Sequence, residues 1–380
     1  MASAMIFFDV AFFAAIAPLL PQYVDELGLS KAEAGILSAS YAAGTLLMSL
    51  PAGFVASRLG PRKTVISGLL LLGLASVVFG FAEEILLLDG ARFVQGIAGA
   101  LIWSGALTWL ITTSPEDKRG SVIGTALGTA VAGALLGPAL GAIAGSIGTA
   151  PVFSSVLVIT ILLSIAASRL PETRVAERQT LREVMTTLVS RPVLEAATFV
   201  GVPSVMFGAI EVLVPLRIDD LGGGHGLIAG GFIAGAALEA MLAPMAGRIS
   251  DRVGRRLPYV TGLSVCAVAM TGVALAATLG GVLAALIVTS LGAGLCFAPA
   301  LTLISDVAEA SSLHQGFAAG LSNMAWASGQ VLGGIGGGVV ASLTGNVLPS
   351  VAIAVLLLIT VLYAYRAMQP GGELAGAAAG

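Results

Sequence analysis

Apolar residues run along this chain in long stretches separated by short polar joints. A bilayer-crossing helix needs about 20 predominantly apolar residues. Twelve stretches meet that length: 2–22, 33–56, 64–82, 85–111, 119–145, 150–168, 195–216, 226–248, 258–278, 281–304, 315–343 and 347–367. The pattern predicts an all-α membrane protein with twelve spans. The longest polar joint, 169–194, carries mixed charges and the amphipathic run Leu181–Val189, which suits a segment lying along the membrane surface. It falls between spans six and seven and divides the chain into an N-terminal six-helix bundle (1–168), a cytoplasmic linker (169–194), a C-terminal six-helix bundle (195–368) and a flexible Gly- and Ala-rich tail (369–380).

The two bundles are copies of one pattern. Gly53, Arg58, Gly60 and Arg62 match Gly247, Arg252, Gly254 and Arg256, 194 residues later and without a gap. The same offset aligns Pro21 with Pro215, Asp25 with Asp219, Gly68 with Gly262, and Ala106-Leu107-Thr108 with Ala300-Leu301-Thr302. One register held over that distance marks an internal repeat.

Composition agrees. Of the 380 residues, 57% are hydrophobic and 10% charged, against roughly 25% charged in soluble domains. So few charges cannot cover a water-facing surface. Placing both termini in the cytoplasm puts 15 of the 18 basic residues on that side, which fixes the topology. Lys31 and Arg217 remain outside and Arg92 lies within a span. Residues 2–22 read as a retained first helix rather than a cleaved leader, because no basic residue precedes Lys31 and Asp9 interrupts the run. Cys266 and Cys296 lie in apolar runs, and His225 and His314 in predicted loops, so no disulfide framework, metal site or cofactor is expected. Gly222-Gly223-Gly224-His225 is followed by no Lys-Ser/Thr pair, which disfavours an ATP-binding loop. No Ser/His/Asp arrangement suggests an enzyme.

Twelve spans, the six-plus-six repeat and the two basic joints resemble the major facilitator superfamily along essentially the whole chain. The second joint is similar to that family's Gly-x-x-x-Asp-Arg-x-Gly-Arg-Arg signature through Gly247, Asp251, Arg252, Gly254, Arg255 and Arg256. The first keeps Gly53, Arg58, Gly60 and Arg62, but has Ser57 where the family usually has Asp and Pro61 where it often has Arg. In the family that Asp helps latch the two halves together on the cytoplasmic side, and the first half lacks it at Ser57; orientation alone is the plainer role for the basic residues.

Ionisable residues inside spans are costly and mark function by default. Asp9 lies about 18 Å below the outer end of span one by helix rise. Its setting, Phe7-Phe8-Asp9 before Pro18 and Pro21, resembles drug:proton antiporters and vesicular amine transporters, which implies a proton or cation site. Arg92, in Arg92-Phe-Val-Gln95-Gly96-Ile-Ala-Gly99, is similar to the family's span-four motif, linked there to proton coupling; pairing with Asp89 one turn earlier is the structural alternative. Glu211 in span seven resembles an acidic site of quinolone efflux pumps, and Glu239 in span eight is a weaker candidate. Asp306 and Glu309 are expected in solvent at the inner end of span ten. In span five, Gly124, Gly133, Gly137, Pro138 and Gly141 are similar to the antiporter motif of drug exporters, with Ala142 in the last position; close small-residue packing is the bland alternative.

The cavity of this fold is expected between spans 1, 4, 7 and 10, with Phe12, Trp103, Phe207 and Phe297 as apolar contacts. Together these features imply a proton-coupled exporter of small amphiphilic, possibly cationic compounds. It is expected in the cell membrane as a monomer, with substrate, protons and lipid as partners and no nucleic acid. A symporter or lipid flippase of the same fold, or a membrane receptor or scaffold that transports nothing, are the alternatives.

Overall fold

The computed structural model describes residues 1–114, 119–169, 181–311 and 315–368, and these are helical throughout. Span one is not one helix. It runs as α1 (Ala2–Ala14), a 3-10 turn (Ala17–Leu19) and α2 (Leu20–Leu27). Pro18 and Pro21 each lack an N–H, so the hydrogen-bond ladder cannot pass through them unbroken. Spans two to six follow as α3 (Lys31–Leu59), α4 (Pro61–Phe81), α5 (Ile85–Thr113), α6 (Arg119–Ile147) and α7 (Thr149–Ser168). A short helix, α8 (Leu181–Leu188), precedes spans seven to twelve: α9 (Arg191–Asp220), α10 (His225–Val253), α11 (Arg256–Leu275), α12 (Leu279–Ala310), α13 (Gln315–Thr344) and α14 (Val347–Ala367). Several helices run past the apolar stretches that predict them, because charged residues continue the ladder beyond the apolar run.

Eleven spans among the described residues are long and apolar enough to cross a membrane, span one being counted across its break from Ala2 to Leu27. The remaining predicted span, α13, is long enough at 30 residues but is diluted by glycine, and it packs mainly between α3 and α9. Large apolar side chains such as Leu86, Leu275 and Leu343 point outward along the bundle. Such a surface suits a hydrocarbon solvent, and helices suit it too because they satisfy their own backbone groups.

The repeat governs local structure. α3 begins at Lys31 and ends at Leu59; α10 begins at His225 and ends at Val253, each 194 residues later. Both helices stop at a glycine in the left-handed half of backbone space, Gly60 (φ 91°) and Gly254 (φ 86°), a conformation that side chains disfavour. The close contacts repeat as well. A side chain on Gly68 would strike the backbone at Ala98 and Ile102; one on Gly262 would strike it at Gly292 and Cys296, the same pair of positions. The start of α3 is fixed by a capping box, with Ser30 Oγ accepting from the Glu33 N–H and Glu33 accepting from the Ser30 N–H.

Two apolar cores result. One is built from α1 to α7 and reached by Val212 and Leu216 of α9; the other is built from α8 to α14. Between them, α3 lies along α13 and α6 along α10.

Candidate functional site

Asp9 is buried at 1% exposure on α1. Its two carboxylate oxygens accept from separate helices: Oδ1 from the Tyr41 hydroxyl of α3 at 2.9 Å, Oδ2 from the Trp103 indole N–H of α5 at 3.2 Å. Gly99 allows this meeting, since a side chain there would press on the Tyr41 hydroxyl and Asp9 Oδ1. Trp103 is therefore a hydrogen-bond donor to the carboxylate rather than an apolar contact. Tyr41 escapes sequence reasoning because nothing local marks a tyrosine 32 residues away as a partner.

Arg92 is equally buried. Its guanidinium donates to the Phe12 and Phe13 carbonyls at 3.4 and 3.3 Å and to Gln95 Oε1 at 3.2 Å, and Gln95 in turn donates to Ser76 at 3.0 Å. The cation lies over the Tyr41 ring at 5.1 Å and the Phe13 ring at 5.9 Å. Arg92 Nε has no hydrogen-bond partner. Among the described residues Arg92 forms no ion pair with Asp89 or with Glu211, so carbonyls and aromatic faces hold the charge instead. The two carbonyls are available because the ladder of span one breaks just beyond them, at Ala15.

A cavity of about 230 Å³ lies between the two halves. Its walls come from α1 (Phe13), α6 (Ala134, Pro138), α9 (Phe207, Glu211), α10 (Phe232, Glu239), α12 (Thr289, Ser290, Phe297) and α13 (Trp326, Gln330). The expected contribution of span four is missing: α5 is screened by the α1 backbone at Phe12 and Phe13, to which Arg92 is bonded. Spans five, eight and eleven replace it. Phe207 and Phe297 face the cavity as expected and meet edge to face at 5.4 Å. Phe12 does not line it; its ring packs on Phe153 inside the N-terminal core.

Both glutamates reach the cavity. Glu211 Oε1 lies 3.5 Å from the Gln330 amide nitrogen. Glu239 has no hydrogen-bond or ion-pair partner among the described residues. Asp9 and Arg92 are not on the wall. Phe13 separates them from it, with its ring 4.8 Å from that of Tyr41 on one side and 5.4 Å from that of Trp326 on the other. Nothing in the sequence singles out Gln330 from Gln315 and Asn323, the other amides of its glycine-rich span.

The glycines of span five serve contact with α1. Side chains at Gly133, Gly137 and Gly141 would collide with the α1 segment at Phe7, at Ala11 and Ala14, and at Ala15 respectively. Pro138, next to Gly137, faces the cavity. Gly124 lies on α6, its surroundings outside what is described.

At the joints, Arg255 forms an ion pair with Asp306 of α12, and Arg256 lies 4.8 Å over the Tyr365 ring of α14. Asp306 is thus half-buried and paired, not solvated as expected, because the end of α12 reaches the start of α11. The counterparts in the first half are Pro61 and Thr112, neither able to form such a pair. Arg62 donates instead to the Ser168 carbonyl at 3.3 Å. Ser57 Oγ donates to the Phe54 carbonyl of its own helix at 2.9 Å. Gly53 lies against the Phe317 ring, Gly247 meets nothing, and Arg58 and Arg252 are exposed. Asp251 lies on α10 and Glu309 on α12, their side chains outside what is described; His314, linker residues 170–180 and the tail 369–380 lie outside the described residues.

The family model of the Major Facilitator Superfamily matches residues 2–334 and 226–378. The chain belongs to the Major Facilitator Superfamily. That family is one of multi-pass membrane transporters rather than enzymes. Among its relatives is Multidrug resistance protein MdtG of Escherichia coli O9:H4 (strain HS), 28% identical over 275 residues, covering 68% of this chain and 67% of that one. MFS-type transporter ppzB of Metarhizium majus (strain ARSEF 297) is 31% identical over 126 residues, 32% of this chain. The chain matches about a quarter (27%) of the length of that curated relative. In three dimensions it resembles a bacterial homologue of the human lysosomal transporter Spinster, solved inward-facing and unoccupied: TM-score 0.77, 13% identity, covering 96% of this chain and 95% of that one. That likeness is one of fold, and it agrees with the twelve-span all-α reading.

Proposed function

We propose that this transporter is a proton-coupled exporter of small amphiphilic cations, working by alternating exposure of a site between its two six-helix bundles. The observation that carries the reading is the cavity itself. Two carboxylates, Glu211 and Glu239, face it among aromatic rings, and among the described residues no Lys, Arg or His is on its wall. A cation gains attraction there that is strengthened by the low local dielectric, and the rings offer their electron-rich faces.

Asp9 is the proton site in this reading. Carboxyls withdrawn from water can exchange protons near neutrality, and Asp9 is held one residue layer away from the substrate by Phe13. Arg92 ties that layer to α5 through the Phe12 and Phe13 carbonyls. A change at Asp9 is thus felt at the cavity wall through α1. The glycine face of α6 against α1 supports a sliding contact suited to export, and the resemblance to a multidrug resistance protein points the same way. The protein would reside in the cell membrane as a monomer with both termini in the cytoplasm, the two basic joints gating as well as orienting it.

Reconstitution into liposomes with an internal pH indicator tests this. Adding a permeant aromatic amine to energised vesicles should move protons opposite to the amine. No proton movement would remove the coupling, and movement in the same direction would make the protein a symporter.

A further inference from the structure

The polar part of the cavity wall is almost all acceptor. This deepens the reading above and rests on it. In their ionised form Glu211 and Glu239 only accept. Thr289 Oγ1 gives its one proton to the Ala285 carbonyl at 2.8 Å, and Ser290 Oγ gives its proton to the Leu286 carbonyl at 3.2 Å, so both present lone pairs. The Gln330 amide is oriented by Glu211: its Nε2 faces the carboxylate, since the reverse would set oxygen against oxygen. That leaves Gln330 Oε1, in a residue only 4% exposed, buried without a hydrogen-bond partner. Gly208 provides the room for this oxygen, which a side chain at that position would crowd. Besides the Gln330 amide, the Trp326 indole is the one N–H-bearing side chain on the wall among the described residues.

We propose that the site selects cations that carry N–H groups, protonated primary to tertiary amines or amidinium-like groups on an aromatic body, over fully alkylated ammonium ions of the same charge, with Gln330 as a specificity-determining residue. Charge alone does not make this distinction. A quaternary ion keeps the Coulomb attraction of Glu211 and Glu239 but can donate to neither carboxylate, and it leaves the Gln330 oxygen unpaired. A buried acceptor left unmade loses its full desolvation cost, and hydrogen bonds between a cation and a polar group are among the stronger ones. The expected preference is about tenfold or more. The cavity, at about 230 Å³, limits the body to one ring and a short chain.

Calorimetric titration of the purified full chain in lipid nanodiscs decides it, without any gradient. The probes are 4-phenylbutylammonium, its N,N-dimethyl and N,N,N-trimethyl analogues, and 4-phenylbutanol. The first two should each bind at least about tenfold more tightly than the trimethyl ion, and in Gln330→Met, which nearly conserves volume, that gap should narrow severalfold, the remainder coming from Glu211 and Glu239. Equal affinity for the dimethyl and trimethyl ions would overturn N–H selection while leaving the cation-exporter reading standing. An undiminished gap in Gln330→Met, with Gln330→Leu as the alternative if that variant misfolds, would overturn the role of Gln330. Alcohol binding as tight as ammonium binding, or no cation binding at all, would overturn both readings.

Discussion

Lys31 and His225 are the first residues of α3 and α10, the same place in the two repeats, and each reaches across to the opposite half. Lys31 Nζ donates to Asn346 Oδ1 at 2.9 Å and lies 3.8 Å from Asp220 Oδ2. His225 Nδ1 lies 2.6 Å from the Pro18 carbonyl. His225 is therefore a helix-start residue in an inter-half contact, not a loop residue as its sequence setting suggests. One repeated position closes the same end of the bundle twice.

The first prediction follows from that clasp. Lys31→Ala combined with His225→Ala should loosen this end while leaving the fold intact, since exposed ion pairs contribute little to stability. A cysteine placed at Gln22, beside the clasp, should react severalfold faster with an impermeant thiol reagent in the double variant. Identical labelling rates would show that the bundle is closed by packing alone.

Asp9→Asn should abolish proton-driven transport while preserving insertion and folding, because the amide keeps the shape and still accepts from Tyr41 or Trp103. Trp103→Phe should reduce transport less, since it removes one of two donors. Proton flux in reconstituted vesicles measures both. Full activity in Asp9→Asn would place the proton elsewhere.

Glu211→Gln should weaken transport of a cation selectively and spare a matched neutral compound, which gains nothing from the charge. The rival expectation, a Glu211–Arg92 pair whose loss would harm every substrate, has no ion pair behind it among the described residues. Comparing a cationic and a neutral substrate in both proteins separates the two; equal loss for both rejects charge selection.

The joints should respond unequally. Asp306→Asn removes one ion-pair partner of Arg255 and should lower stability by about 1 kcal/mol or less, the pair being partly exposed. Thr112→Asn, at the matching place in the first half, should change little, as Pro61 offers no charge there. Asp251→Asn should slow turnover more than it weakens binding, and a fall in expression alone would return the joint to a purely orienting role. Ser57→Asp should leave turnover unchanged if the first half works without the latch. Thermal unfolding and transport assays read these effects.

Gly137→Leu should prevent normal packing of α6 on α1, since even a Cβ there strikes Ala11 and Ala14. Gly128→Ala, with open space around it, is the matched control. Comparable yields of folded protein from both would mean that the glycine face is not a contact at all.

The sequence by itself determined the all-α membrane class, the repeat and the identity of the buried charges. Those properties are written in local hydropathy and in a register of fixed offset, which need no tertiary information: α3 and α10 share both their ends, and Gly60 and Gly254 share their backbone turn. The continuous apolar run 2–22 reads as one helix; its break at Pro18 and Pro21, and the free carbonyls at Phe12 and Phe13 that Arg92 uses, appear only in the structure. The tertiary structure alone decided which groups face one another. Asp9 takes its partners from residues 41 and 103, Arg92 is held by carbonyls and aromatic faces instead of an acid, and Gln330 joins Glu211 across 119 residues. A helix of uniformly apolar character does not announce which of its faces meets lipid and which meets the cavity. That is why α6, α10 and α13 supplied walls expected of α5, and why the acceptor lining of the site appears only once the helices are packed.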